Sequence, residues 1–374
     1  MTVPTRVPFV DLTFQWEAIK ENALPELTTL IESSAFVLGP YVSRFEKNIA
    51  NYLGTGNAVG VNSGTSALHL ALIAAGIGPG DKVLIPAMSF IATAWPVLYV
   101  GGIPVFCDVE EATGNIDMRD AEKRMESDVK AIIPVHLYGQ PSNMDLILEF
   151  AKEHNLAVVE DAAQAIGAQY DGQTVGTLGH FGCFSFYPSK NLGASGEAGL
   201  IITNDDKGAD RLRALRHHGQ TAPNTHSEVG YNYRMDGMQG LILDHKLDHI
   251  AQWTLFRKRI ARLYIEGLSS LPLELPHPHG NDHVYHLFVV RTKMRDALQH
   301  HLSDGGIQTG LHYPVSIHRQ PALAGYAADI DSYPTADRYA NEGLSLPIFF
   351  GMTDEQVQIV IDEITKFFST TKKT

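Results

Sequence analysis

Three stretches of the chain hold residue types that could act together on one small ligand. The first is NSGTSALHLAL (62–72), where Ser63-Gly64-Thr65-Ser66 opens directly into an apolar helical pattern. A helix start exposes unpaired N–H groups, and hydroxyls beside them complete a site for an anion such as phosphate. The same residues would also serve as an ordinary N-cap. The second is LAVVEDAAQAIGA (156–168), with Glu160 and Asp161 where an apolar run ends. A carboxylate there could keep a heteroaromatic nitrogen protonated, because a nearby negative charge favours the cation; Asp161 could equally cap a helix. The third is FSFYPSKNLGASGEAGLIIT (184–203), in which Lys190 lies between two apolar runs and far from any run of charge. Desolvation lowers the pKa of an amine and suits it to Schiff-base chemistry. A lysine that snorkels to solvent is the plainer alternative. The glycines between 193 and 199 would let the backbone approach a ligand closely. Anion cradle, carboxylate and sequestered amine follow one another after successive apolar runs. Pyridoxal phosphate needs all three, for its phosphate, its pyridinium nitrogen and its aldehyde.

Such a set requires a scaffold that gathers strand ends. KVLIP (82–86), IPVFCDV (103–109), VKAIIPVHL (129–137), LAVVEDA (156–162), FGCFSFY (181–187) and AGLIITN (198–204) are short, apolar and rich in β-branched or aromatic residues. They read as strands covered on both faces. SALHLALIAAG (66–76), SFIATAWPVLYVGG (89–102) and NMDLILEFAKEHN (143–155) read as helices between them, and FEKNIANYLG as a helix of an N-terminal arm. The alternation predicts an α/β fold with a mostly parallel central sheet flanked by helices, and a ligand outside the carboxyl ends of its strands. A long helical pattern over 236–269 carries the boundary between a large domain, 1–250, and a smaller C-terminal α+β domain, 251–374. The smaller part holds a strand at YHLFVVR (285–291) and helices at MRDALQHHLSDGG and TDEQVQIVIDEITKFF.

Composition narrows the function classes. The net charge of -13 argues against general affinity for nucleic acid or an anionic membrane. Cys107 and Cys183 lie in apolar stretches, which predicts buried thiols in a reducing cytoplasm and no disulfide framework. MTVPTRVPFVDL lacks the apolar core of a signal peptide, and no apolar run reaches spanning length, so a soluble protein is expected. The 17 histidines include His217-His218, His277/His279, His283/His286 and His300-His301, none in a spacing that marks a zinc site, so no metal is expected. A G-x-G-x-x-G dinucleotide motif after the first strand is missing.

Over nearly its whole length the chain resembles the sugar aminotransferases of the DegT/DnrJ/EryC1/StrS family, which have the pyridoxal-phosphate fold type I of aspartate aminotransferase. The resemblance runs through SSAFVLGPYVSRFEKNIANYLG, VNSGTSALHLAL, DKVLIPAMSFIATA, PVHLYGQPSNMD, VVEDAAQAIGA, SFYPSKNLGASGEAG, GYNYRMDGMQG, HVYHLFVVR, GIQTGLHYPVSIH and LSLPIF. It implies that Lys190 is the Schiff-base lysine and Asp161 the partner of the pyridinium nitrogen. Gly64, Thr65 and Ser66 match the phosphate turn, and Ser185 the family's phosphate-binding serine. Gln164 matches the residue beside the cofactor's 3-hydroxyl, and Phe90 the ring stacked on the pyridine face. Asn232 matches an asparagine that the neighbouring subunit supplies to the phosphate, which implies a homodimer with shared active sites. The implied partners are glutamate as amino donor and a nucleotide-linked keto (6-deoxy)hexose as acceptor. SFYP, where the branch that aminates C4 more often reads SFHP, resembles the branch acting at C3. Tyr187, His312 and Tyr313 are the candidates for contacting the sugar; core packing or a surface turn are the alternatives for them. Two rivals on the same fold are a dehydratase, which carries histidine at the lysine position, and a non-catalytic regulator. Gly240-Leu241 stand where many relatives have Ala-Ala, a departure that concerns helix packing.

Overall fold

Runs that are apolar at every position have no face to offer water, and here they pair with one another in one sheet. The computed structural model describes residues 6–276, 283–327 and 330–371. Seven strands form its central sheet: β1 (Asn57–Val61), β2 (Lys82–Pro86), β3 (Ile103–Cys107), β4 (Val129–Ile132), β5 (Ala157–Asp161), β6 (Phe181–Ser185) and β7 (Gly199–Thr203). Their order is β1-β7-β6-β5-β4-β2-β3. The five strands from β6 to β3 are mutually parallel, whereas β7 runs antiparallel to both β6 and β1. All six expected strands are present, KVLIP with its expected bounds and the other five with shorter ends. β1, the sequence NAVGV, is the addition; short and interrupted by Gly60, it gives a weak strand signal.

Two expectations about elements need correction. The run VKAIIPVHL does not stay a strand to 137: it ends at Ile132, and Leu137–Gly139 forms a 3₁₀ turn. Pro134 has no N–H to give the ladder. SFIATAWPVLYVGG is not one helix but a 3₁₀ turn at Ile91–Thr93 followed by a short helix, Trp95–Tyr99, with proline in its first turn. Phe90 stays extended at φ -69°, ψ 144° before that turn.

The helices labelled here are α1 (Thr13–Glu32), α2 (Gly39–Leu53), α3 (Gly64–Ala74), α4 (Met144–His154), α5 (Gly237–Leu247), α6 (Ile250–Leu268), α7 (Arg295–Asp304) and α8 (Asp354–Thr371). The long pattern over 236–269 is therefore two helices. α5 is buried on nearly every side, including Gln239 and Lys246. α6 buries one stripe, Ile250, Trp253, Arg257, Ile260, Ala261, Tyr264 and Leu268, at helical spacing. α1 lays Ile19, Ala23 and Leu30 against Leu241 and Ile242 of α5.

Beyond α6, β8 (Phe288–Arg291) pairs antiparallel with β9 (Gly343–Leu346). The two-residue period of a strand then divides its side chains between two cores. Phe288 and Val290 join α6, α7, α8 and Val7, while Leu287 and Val289 join the core over the sheet. On this packing we propose a smaller C-terminal domain, 251–374, closed over the large one. Cys107 and Cys183 are buried free thiols. Among the described residues no group of three or more His, Cys, Asp or Glu side chains could hold a metal ion, and His277 and His279 lie outside those residues.

Candidate active site

At the carboxyl ends of the parallel strands lies a cavity of about 500 Å³, within the size range of small-molecule sites. The turn that opens α3 forms one wall. Ser63 is the N-cap: its Oγ accepts the N–H of Ser66 at 3.1 Å. The Ser66 hydroxyl donates to Asn62 Oδ1 at 2.7 Å and so turns into the cap, while Gly64 and Thr65 line the cavity. Capping and an anion-ready helix start are thus the work of the same four residues. Two glycines make the close fit possible. A Cβ on Gly64 would lie 2.8 Å from Ser185 Cβ, and one on Gly199 would lie 2.3 Å from the Ser63 carbonyl. Ser185, the last residue of β6, also lines the cavity.

Strand alternation sorts the two carboxylates. Asp161, at the end of β5, faces the cavity; its Oδ2 accepts from the Thr93 hydroxyl at 2.8 Å and its Oδ1 from the Ala163 N–H at 3.2 Å. Burial raises its pKa, and those hydrogen bonds together with Lys190 pull it back down. Glu160 points to the other side, where it accepts the N–H groups of Gly176, Leu178 and Gly179 and pairs with His136 Nε2 at 3.0 Å. His136 Nδ1 accepts the Ser142 N–H at 3.0 Å, so the proton sits on Nε2. Glu160 is a buried staple of the strand–loop junction.

Lys190 sits in the tight turn after β6, its N–H bonded to the Tyr187 carbonyl at 2.8 Å. Burial lowers its pKa to about 8, against a smaller pull upward from Asp161. Its amine has no hydrogen-bond or ion-pair partner among the described residues, and it lines the cavity. The turn is gripped from behind. Lys246 Nζ donates to the Gly193 carbonyl at 2.7 Å and to Gln15 Oε1 at 3.2 Å. Gln239 Oε1 accepts the Ser195 N–H at 2.9 Å, and Asn191 Nδ2 donates to the Val284 carbonyl at 3.0 Å. Lys246 is itself buried, which lowers its pKa to about 8, and among the described residues it has no carboxylate partner.

The remaining wall is aromatic and amide. Gln164 Nε2 lies 3.0 Å from the Tyr313 hydroxyl, and the Phe90 and Tyr313 rings are 5.4 Å apart. His312 Nδ1 is 2.8 Å from the Ser345 hydroxyl, its ring stacks on Phe9, and burial lowers its pKa to about 4. Phe90 and Tyr187 are 50% and 51% exposed at the rim, large rings left open where a ligand could cover them. Asn232 is exposed and lies outside this chain's cavity, in an extended segment bridged to His217. The sequence reading missed Thr93, Tyr138, His286, Gln239 and Lys246. Thr93 and Lys246 lie in stretches that read as helix, and no local signal marks which of their neighbours they meet. Burial holds His286, which lines the cavity, well below the usual histidine pKa.

These groups fit pyridoxal phosphate: an unpartnered amine of lowered pKa, a buried carboxylate, and a helix-start cradle that a single Cβ would fill. The model of the DegT/DnrJ/EryC1/StrS aminotransferase family matches residues 17–365. The chain belongs to that family. A pleiotropic regulatory protein of Geobacillus stearothermophilus is 43% identical, over 97% of this chain and 98% of that one. A UDP-N-acetyl-3-dehydro-alpha-D-glucosamine 3-aminotransferase of Acidithiobacillus ferrooxidans is 42% identical over 96% of each. A dTDP-3-amino-3,4,6-trideoxy-alpha-D-glucose transaminase of Streptomyces venezuelae is 41% identical, over 97% of this chain and 96% of that one. Among solved structures, S. venezuelae DesV in complex with a ketimine intermediate superposes with a TM-score of 0.95. It is 41% identical and covers 98% of this chain and 99% of its own. The fold is that of these aminotransferases.

Proposed function

We propose that this chain is a pyridoxal-phosphate-dependent aminotransferase that carries the amino group of glutamate to C3 of a nucleotide-linked keto hexose. The observation that carries the reading is the unpartnered Lys190 amine, which shares one cavity with the Asp161 carboxylate and the Gly64–Thr65 turn. Bound there, pyridoxal phosphate would supply the electron sink for a carbanion next to the transferred nitrogen. The N–H groups at the start of α3, with the hydroxyls of Thr65 and Ser185, would hold its phosphate. Asp161 would hold the proton on the ring nitrogen, Phe90 would cover a ring face and Gln164 would meet the 3-hydroxyl. Lys190 would hold the aldehyde covalently. Released from the cofactor, Lys190 Nζ would be placed to accept the proton from Cα of glutamate, for which a pKa of about 8 is well matched.

Amination at C3 is supported by two relatives named for 3-aminated sugars, one on UDP and one on dTDP. Tyr187 in SFYP, at the cavity rim, agrees with that branch, and we assign Tyr187, His312 and Tyr313 to the sugar. The exposure of Asn232 supports a homodimer in which each subunit completes the other's phosphate site. No helix among the described residues is long and apolar enough to cross a membrane. The buried free thiols Cys107 and Cys183 support a cytoplasmic enzyme, and the net charge of -13 supports small-molecule partners over nucleic acid. A second reading, a regulator that binds cofactor or sugar, is favoured by the name of the Geobacillus relative.

The deciding experiment is a visible spectrum of the purified protein before and after glutamate, beside Lys190→Ala. A yellow band that bleaches with glutamate, and that the variant cannot form through its lysine, supports the enzyme. A protein that stays colourless with added pyridoxal phosphate sinks it. Labelled glutamate with 3-keto and 4-keto sugars, followed by NMR, locates the nitrogen; amination at C4 would overturn the C3 assignment alone.

A further inference from the structure

Hydrogen-bond donors and acceptors along the cavity wall fix a polarity that the transfer chemistry above does not use. In the turn Leu137–Gly139, Tyr138 stands at φ 59°, ψ 4°, in the left-handed region where a bulky residue is strained. Gly139 follows at φ 96°, and a Cβ there would lie 3.0 Å from the Gln164 carbonyl oxygen. Strain of this kind persists where surroundings over-determine it, and Tyr138 is held at both ends. Its N–H donates to Gln164 Oε1 at 2.6 Å, and its hydroxyl donates to the His312 carbonyl.

A backbone N–H can only donate, so the Gln164 oxygen must face Tyr138 and the amide nitrogen must face Tyr313. That nitrogen can only donate as well. The Tyr313 oxygen therefore accepts, and its own hydrogen has no acceptor among the described residues. Burial, with Asp161 nearby, raises the Tyr313 pKa, so the hydroxyl keeps that hydrogen. It borders the cavity.

We propose that Tyr138, acting through Gln164, makes Tyr313 a hydrogen-bond donor to the keto oxygen of the sugar, so that the site favours the ketone substrate over the amino product. This rests on the keto-sugar reading of the cavity. A ketone oxygen accepts a hydrogen bond, whereas the product nitrogen near neutral pH is an ammonium, which only donates. The donor therefore helps the substrate in and helps the product leave. Tyr138 is a positioning residue; Tyr313 touches the substrate.

Gln164→Glu tests the relay. The new carboxylate still accepts from the Tyr138 N–H, but its second oxygen also accepts, so the Tyr313 hydrogen turns to it and a lone pair faces the cavity. Calorimetry on two complexes that cannot react gives pure affinities: UDP-linked 3-keto N-acetylglucosamine on the pyridoxal-phosphate-loaded protein, and the 3-amino sugar on the pyridoxamine-phosphate-loaded protein. Gln164→Glu is expected to move the ratio of the two dissociation constants about tenfold toward the amino sugar. In a Tyr313→Phe background the same substitution is expected to move it by less than about twofold, since the hydroxyl that transmits the change is gone. Tyr313→Phe alone, which keeps the ring, is expected to weaken ketone binding and leave amino-sugar binding unchanged or tighter. Equal shifts in both backgrounds would overturn the relay, because the new charge would then act directly. Ketone affinity untouched by Tyr313→Phe would also overturn it. A wild-type protein that binds neither the keto nor the amino sugar, offered as UDP and as dTDP conjugates, removes the keto-sugar reading and the relay together.

Discussion

An ordinary lysine holds its amine almost entirely as ammonium at neutral pH, whereas burial brings Lys190 to about 8. The neutral amine is the nucleophile, so its reaction with pyridoxal phosphate should speed up as pH rises. The expected profile is about tenfold per pH unit below 8, levelling above it. Stopped-flow absorbance of the cofactor-free protein measures this; a rate still climbing through pH 10 would mean an unperturbed amine. Asp161 depends on Thr93 for one of its two donors. Thr93→Val should slow the glutamate half-reaction about tenfold while the cofactor stays bound, and Asp161→Asn should slow it at least about a hundredfold. Rapid-scan spectra give both numbers, and a Thr93 variant at wild-type speed would separate that hydroxyl from the chemistry. Lys190 and Asp161 stood out in the sequence as a lysine between apolar runs and an acid at a strand end, where such folds bind ligands; helix capping was an equal reading for Asp161, and the resemblance alone gave the two their roles. Thr93 did not stand out: it reaches Asp161 across 68 positions of sequence, from a stretch that reads as helix.

At the scale of elements, the turn proposed to hold the phosphate depends on β7 passing directly beneath the start of α3. Gly199→Ala places a Cβ against the Ser63 backbone, which cannot yield as a flexible side chain would. The expected result is at least about tenfold weaker retention of pyridoxal phosphate and a melting temperature lower by a few degrees. Gly78→Ala, which meets nothing within 4 Å, is the matching control and should change neither. Equilibrium dialysis and thermal melting read the two effects. The strand and helix positions here were mostly visible as apolar runs and helical periods. Their exceptions have local causes: Pro134 ends one strand early, and the Pro96 region divides a helical pattern in two. β1 went unseen because five residues interrupted by a glycine carry little signal, although it closes the sheet beside β7.

For the whole molecule, the site of one chain shows a cradle, an acid and an amine, and Asn232 is exposed and does not line that cavity. If Asn232 serves the neighbouring subunit, inactive variants should rescue one another. Lys190→Ala mixed with Asn232→Ala and reassociated at equal amounts should recover about a quarter of wild-type activity, because half the dimers are mixed and each has one intact site. No recovery, with mixed dimers confirmed by native mass spectrometry, would place Asn232 outside the partner's site.

The sequence by itself determined the α/β class, six of the seven sheet strands, and the order of cradle, carboxylate and amine. Those follow from residue type and from periods a few residues long. Tertiary structure alone decided which groups meet: Asp161 with Thr93, the lysine turn with Gln239 and Lys246, and the Tyr138–Gln164–Tyr313 chain. These contacts join residues that are tens to hundreds of positions apart. Their geometry depends on strand order and on how helices cross the sheet, and no local pattern of apolar and polar residues encodes that.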